Sequence, residues 1–308
     1  MLVFSTGWLW LFRRELRFPQ ALVLVPASIA VMWLLNGVRL AALILVGNAG
    51  APQIAMGGFH SQAGWISFNL VAVGVLLAAG RVSWWRREPV AAEGSSRAAG
   101  NPTAKYLVPL IAILVSAMIA RAASAGFEWL YPLRLLAAAG ALWCFRVEYR
   151  TLDWRCGWFA PLVGTIVFAV WMGFDALRGS QPSNGIAALE TASAFMRISW
   201  LVCRTVAAVV TVPIAEELAF RGFLIRRLIA ADFESLGPRT FTWFAVLLSS
   251  LVFGLLHGHR WIEGTIAGIL YAVALLRRGR IGEAVTAHAT TNALTALMVL
   301  ARGDWYLW

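Results

Sequence analysis

The chain has 308 residues, of which 60% are hydrophobic and 13% charged, with a net charge of +11 and a mean hydropathy of +0.72. A soluble domain carries about 25% charged residues, so this composition excludes an ordinary soluble fold. Several apolar runs approach the roughly 20 residues of a bilayer-crossing helix, nothing alternates as barrel strands do, and lipid excludes open sheets; the fold class is an all-α polytopic membrane bundle.

The excess charge is arginine, Lys105 being the only lysine. It reads as loops kept in the cytoplasm, not as a nucleic-acid surface. Cys144, Cys156 and Cys203 form no CxxC pair and read as free apolar residues.

In chain order, "MLVFSTGWLWLFRRELRF" lacks the charged start and cleavage site of a signal peptide and reads as the tail of an earlier helix. Nine spanning helices are expected, over 18–46, 66–80, 106–123, 130–145, 157–177, 196–215, 240–258, 260–276 and 284–301. The second is short for a span. Arginine-rich stretches ("RRELR", "RVSWWRREP", "RVEYRTLDWR", "RGFLIRR", "RRGR") alternate with poorer loops at 47–65, 124–129, 178–195 and 258–260. The alternation predicts a cytoplasmic N-terminus and an outer C-terminus. Residues 86–105, rich in Ala, Gly, Ser and Pro, could not bury a core and read as a linker between 1–85 and 106–308.

Three of the four histidines fall in the second half, near the polar pair of "EELAFRGFL". Glu217 and Arg221 are i,i+4 on a helix and can pair. Glu216 then points about 100° away, one carboxylate structural and the other free for chemistry. His288 and Asn292 are also i,i+4 and share a face. His257 comes from a third helix. His259 and Glu263 read as interfacial and structural. Ionisable groups inside a membrane span are functional by default. If these faces converge, they offer a carboxylate, two imidazoles and an amide, an inventory that suits amide hydrolysis by activated water. Desolvation would tune Glu216 as a general base; His257 could help bind and polarise the water. His288 and Asn292 could steady an oxyanion. The assignment of ends puts Glu216 near the inner end of one helix and His257 near the outer end of another. They meet only if helix boundaries shift or a helix is tilted or re-entrant.

The three stretches "EELAFRGFL", "FGLLHG" and "HATTNA" resemble the motifs EExxxR, FxxxH and HxxxN of the CPBP family, the CAAX-prenyl-protease and bacteriocin-processing intramembrane proteases. They match at Glu216, Glu217 and Arg221, then Phe253 and His257, then His288 and Asn292, and "AGILYAVALLRRGRI" is similar as well. The resemblance covers roughly residues 105–301. It implies a glutamic-type intramembrane endopeptidase in which Glu216 and His257 activate water. His288 and Asn292 would form the oxyanion hole, with Glu217 and Arg221 in support and no metal.

Within 1–85, Arg39 lies in an apolar stretch, "NGVRLAALILV", and His60 follows in "GGFHSQAGW", read as an outer loop. From residue types alone these are an interfacial arginine and a loop histidine. Their spacing resembles the later part of an exosortase, which uses a cysteine, then an arginine in an NxxR context, then a histidine before a GW-like segment. Such a segment joined to a CPBP protease is similar to the exosortase E/protease type of VPEID-CTERM sorting systems. No cysteine precedes Cys144, so the segment is expected to be a shortened or inactive remnant without thiol-dependent transpeptidation.

The leading expectation is a multi-pass peptidase of the bacterial inner membrane. It would meet lipid and a peptide or protein substrate, with or without a C-terminal sorting signal, and would need no cofactor and no nucleic acid. The alternative is a zinc protease with Glu216, His257 and His288 as ligands, a two-His, one-carboxylate set drawn from three helices in the absence of HExxH. A non-catalytic scaffold or immunity protein, or a proton-relaying transporter, is the third class; against transport, no inverted repeat is visible.

Overall fold

The computed structural model describes residues 1–13, 16–85, 101–124, 126–179 and 186–308. The linker expected over 86–105 lies outside the described residues as far as residue 100. The chain forms two compact units, one of Met1–Ala99 with Met118–Leu130, the other of Gly100–Ala117 with Tyr131–Trp308. Among the described residues there are helices and no strands.

In the first unit, α1 (Leu2–Leu11), α2 (Leu24–Asn48) and α3 (His60–Arg81) pack by apolar faces, around Leu9, Leu16, Ala21, Leu24 and Ala79. The expected span at 66–80 is longer than its reading. No proline interrupts the stretch from Gln53 onward, and a short helical stretch kinked at the non-helical Gly57, Ala55–Phe59, leads into α3. His60, read as a loop residue, therefore opens a helix.

In the second unit, α4 (Ala104–Ala122, its first part), α5 (Pro132–Cys144), α6 (Phe159–Arg178), α7 (Ala194–Ile229), α8 (Trp243–Leu255), α9 (Trp261–Arg278) and α10 (Ile281–Arg302) form one bundle. Its core includes Val163, Val167, Phe220, Phe253, Tyr271 and Ala287. Between α5 and α6, Asp153 anchors the start of α10. Its carbonyl accepts from Gly282 N, and its carboxylate pairs with Arg280 at 3.3 Å. Hydrogen bonds from Arg155 lower the Asp153 carboxyl to about 2.

Among the described residues six helices are long and apolar enough to cross a membrane: Gln20–Asn48, His60–Arg81, Ala104–Ala122, Phe159–Arg178, Ala194–Ile229 and Ile281–Arg302. The spans expected at 130–145 and 240–258 correspond to shorter apolar helices, Pro132–Cys144 and Trp243–Leu255. The one at 260–276 corresponds to α9, which carries Glu263, Arg277 and Arg278.

Helix α7 departs most from its expected bounds. It runs for 36 residues, about 54 Å at the usual rise, and contains π stretches at Ala207–Thr211 and Leu218–Leu224. Pro213 lies two residues beyond the first. A proline cannot donate to the carbonyl four residues back, and the local π turn absorbs that misfit within a continuous helix. Glu216 is thus well inside a helix rather than at its end.

Helix α8 packs antiparallel on the second half of α7. Ile225 shares a cluster with Ala245 and Val246, Ser249 Oγ donates to the Phe220 carbonyl at 3.3 Å, and the Phe220 and Phe253 rings lie 5.2 Å apart. That register sets Glu216 level with Phe253–His257. Helix α8 has 13 residues, about 20 Å against a hydrocarbon core of about 30 Å, so it is too short to carry His257 across a full span from Glu216. The two ends that the sequence placed on opposite sides meet for this reason.

Candidate active site

Four polar side chains from three elements line one cavity of about 310 Å³: Glu216 from α7, His257 from the end of α8, and His288 and Asn292 from α10. Glu217 and Arg221 stand behind it, almost wholly buried. Arg221 Nε lies 3.1 Å from Glu217 Oε2, and its Nη2 donates to the Gly268 carbonyl at 2.8 Å. The i,i+4 pairing read from the sequence is present, and so is the divergence of the two glutamates.

A second partner of Glu217 was not legible in the sequence. His288 Nδ1 donates to Glu217 Oε1 at 2.9 Å. A carboxylate accepts only, so Nδ1 carries the proton and the ring is held in one orientation. Its Nε2 then lies 3.8 Å from Glu216 Oε2. The supporting glutamate orients one face of an imidazole whose other face meets the free glutamate. Tyr271 stacks on this ring, with centroids 4.8 Å apart and planes at 16°. The Tyr271 hydroxyl donates to Thr291 Oγ1 at 2.9 Å, and Thr291 Oγ1 donates to the Gly164 carbonyl at 2.8 Å.

His257 Nδ1 donates to the Phe253 carbonyl at 2.9 Å, which leaves Nε2 as its remaining polar atom. Phe253, the aromatic residue of FxxxH, contacts both histidine rings and carries the Arg221 guanidinium 4.4 Å over its face. Gly258, at φ +61°, turns the chain directly after His257. Arg260 then pairs with Asp175 at 3.0 Å, whose other oxygen accepts from Tyr306 at 2.8 Å. The buried Glu263 pairs with Arg178, in keeping with a structural role. Trp171 of α6 meets the His257 ring edge-on at 5.6 Å.

Asn292 Nδ2 donates to the Ala208 carbonyl at 2.7 Å. Ala208 lies in the first π stretch of α7, where backbone carbonyls pair five residues on instead of four. The amide keeps a second N–H. The π turn also aligns Arg204, Ala208, Val212 and Glu216 along the cavity wall; on an unbroken α-helix Arg204 and Glu216 would stand about 120° apart. Arg204 went unremarked in the sequence although it is a charge inside an apolar span, the signal that should have flagged it.

The zinc alternative needs Glu216, His257 and His288 around one ion. Among the described residues no three His, Cys, Asp or Glu side chains are grouped to hold a metal.

In the first unit Arg39 and His60 come together. Arg39 Nη2 donates to the His60 carbonyl at 2.6 Å and lies 3.5 Å from its Nδ1. Asn36 Oδ1 is 3.4 Å from Arg39 Nη1. Both side chains line a depression with Ser61, Gly64, Trp65 and Phe68.

The architecture is thus that of a multi-pass helical membrane protein with a carboxylate-bearing cavity between its helices. Residues 198–294 match the family model of Type II CAAX prenyl endopeptidase Rce1-like proteins, a stretch that holds Glu216, Glu217, Arg221, His257, His288 and Asn292. Residues 1–77 match that of the transmembrane exosortase (Exosortase_EpsH) and hold Arg39 and His60. The chain therefore joins an exosortase-like segment to a CAAX-protease-like one, as the motifs implied, and the second match supports an intramembrane peptidase. No curated protein and no solved structure matches the chain.

Proposed function

We propose that this chain is a glutamic-type endopeptidase that hydrolyses a peptide bond of a membrane-associated or sorting-signal-bearing protein. One observation carries the reading: Glu216, His257, His288 and Asn292 line a single cavity, with His288 held from behind by Glu217. Glu216 takes a proton from a water held with His257 Nε2, and the hydroxide attacks the scissile carbonyl carbon. The second N–H of Asn292 and a protonated His288 Nε2 stabilise the oxyanion. The carbon–nitrogen bond then breaks as Glu216 returns the proton to the leaving amine. Arg221 and Glu217 hold the scaffold of this reaction and do not touch the substrate.

The scheme needs no metal. The arginine-rich loops support a cytoplasmic N-terminus in a bacterial inner membrane. The Arg39–His60 pair resembles an exosortase remnant whose role is to hold a substrate tail, without thiol chemistry.

The test is cleavage of a co-expressed protein bearing a candidate sorting tail, repeated with purified protein and a chelator. Loss in Glu216→Gln with survival under chelation supports the glutamic scheme. Loss under chelation that zinc restores overturns it in favour of a metalloprotease. Equal cleavage by wild type and Glu216→Gln removes Glu216 from the chemistry. With the tail shown to be bound, absence of cleavage by both assigns a scaffold.

A further inference from the structure

Resting on the peptidase reading, we infer that Arg204 forms a subsite for a carboxylate of the peptide substrate, set about three to five residues from the scissile bond along an extended chain. Arg204 lines the same cavity as Glu216. Its guanidinium carbon lies 4.3 Å from the centre of the Tyr131 ring and 5.5 Å from that of Trp308. Its Nε is buried and has no hydrogen-bond partner among the described residues. Arg134 shares the same Tyr131 ring at 4.7 Å and also lines the cavity.

Four other arginines of this unit show a contrast. Arg178, Arg221, Arg260 and Arg278 each pair with a carboxylate. Among the described residues Arg204 has no such pair, although it sits in an apolar span where an uncompensated guanidinium is costly. Aromatic faces offset part of that cost, while the fork of N–H donors is still available to a planar carboxylate. The cavity is where a peptide must lie if Glu216 is to reach its backbone.

Spacing gives the distance. Arg204, Ala208, Val212 and Glu216 form one wall of the cavity, and twelve residues of helix span about 18 Å. The reach of both side chains shortens that gap to a few residues of extended peptide, each about 3.3 Å long. The carboxylate is an Asp or Glu side chain or the substrate's own C-terminus, two sources of one chemistry.

The test separates binding from cleavage. The full chain carrying Glu216→Gln is titrated in micelles with apolar twelve-residue peptides bearing one Glu, scanned along the sequence, or Gln in its place. Each peptide ends in a free acid or an amide. Binding is followed by tryptophan fluorescence and by an independent label on the peptide. At least one acid should bind about tenfold or more tightly than its neutral counterpart, an advantage lost in Arg204→Gln and partly kept in Arg204→Lys. A Glu at one register identifies a side chain, and a free acid against an amide identifies a C-terminus. Equal binding of acids and amides, or a preference that survives Arg204→Gln in folded protein, overturns the subsite. So does anionic phospholipid that co-purifies with wild type and not with Arg204→Gln while no peptide preference exists, which would assign the arginine to a lipid phosphate. Because Glu216 is already replaced, failure here leaves the peptidase reading standing. Cleavage that is indifferent to Glu216 would sink that reading without touching the binding result.

Discussion

Glu216 and Glu217 are neighbours in the chain with different surroundings. Glu217 is fully buried, with Arg221 and His288 on its two oxygens. Glu216 faces the cavity, and its Oε2 has no hydrogen-bond partner among the described residues. The same substitution should therefore separate them. Glu216→Gln should leave the fold intact and lower cleavage by about 10²–10⁴, the share of a general base. Glu217→Gln leaves Arg221 buried without its charge partner, a loss of about 3–5 kcal/mol for a broken buried pair, and should lower thermal stability as well as activity. Melting curves in detergent beside single-turnover cleavage check both. Equal melting temperatures for the two variants would contradict the division of roles. The i,i+4 rule was enough to read Glu217 with Arg221 from the sequence. The link to His288 spans 71 positions, and no local pattern carries it.

Among the elements, the π stretch Ala207–Thr211 has the largest consequence for the site. It places Arg204 on the wall with Glu216 and presents the Ala208 carbonyl to Asn292. Deleting Val209 should restore a plain α-helix and rotate the preceding turns by about 100°. The protein should still insert and fold, with weakened cleavage and no acid preference; retention of both would show that the π turn is incidental. The α8–α9 seam is equally demanding. A Cβ on Gly264 would lie 2.9 Å from Gly254 Cα and 3.1 Å from His257 Nδ1. Gly264→Ala should therefore displace His257 and reduce turnover more than it reduces stability, as kcat and a melting curve would report. Asp153, outside the spans, has its carboxyl lowered to about 2 chiefly by Arg155. Its contribution to stability is present above the ordinary carboxylate range of about 4 and is lost as the pH falls towards 2. Asp153→Asn should lower the melting temperature at pH 7 and have little effect near pH 2; a constant difference would disprove the linkage.

At the scale of the whole molecule, the arginine pattern makes a claim about sides. Cys156, exposed between α5 and α6, belongs to an arginine-rich stretch expected in the cytoplasm, whereas Cys203 lies within the apolar span α7. A membrane-impermeant maleimide should label Cys156 in inside-out vesicles and not in intact spheroplasts, while Cys203 labels slowly in both. Reversed labelling of Cys156 would invert the topology. The two family matches fall in separate parts of the chain, and each unit has its own polar pair or cluster, Arg39 with His60 in one and the carboxylate cavity in the other.

Composition and periodicity alone were sufficient for the membrane class, because lipid leaves helices as the only open solution for an apolar chain without barrel alternation. They were sufficient also for the faces shared by Glu217 with Arg221 and by His288 with Asn292, since those relations lie within one or two helical turns. Helix lengths were not decided there. The run before Glu216 looked like a span ending at a charge, whereas packing against α8 and α9 carries the helix on to Ile229. Only the tertiary structure brought Glu216 level with His257, turned Glu217 into the anchor of His288, and set Arg204 on the cavity wall. The first two depend on the register between helices distant in sequence, which is fixed by close packing of side chains across the interface, a relation that local pattern does not encode; the third depends on the π stretch Ala207–Thr211 within α7.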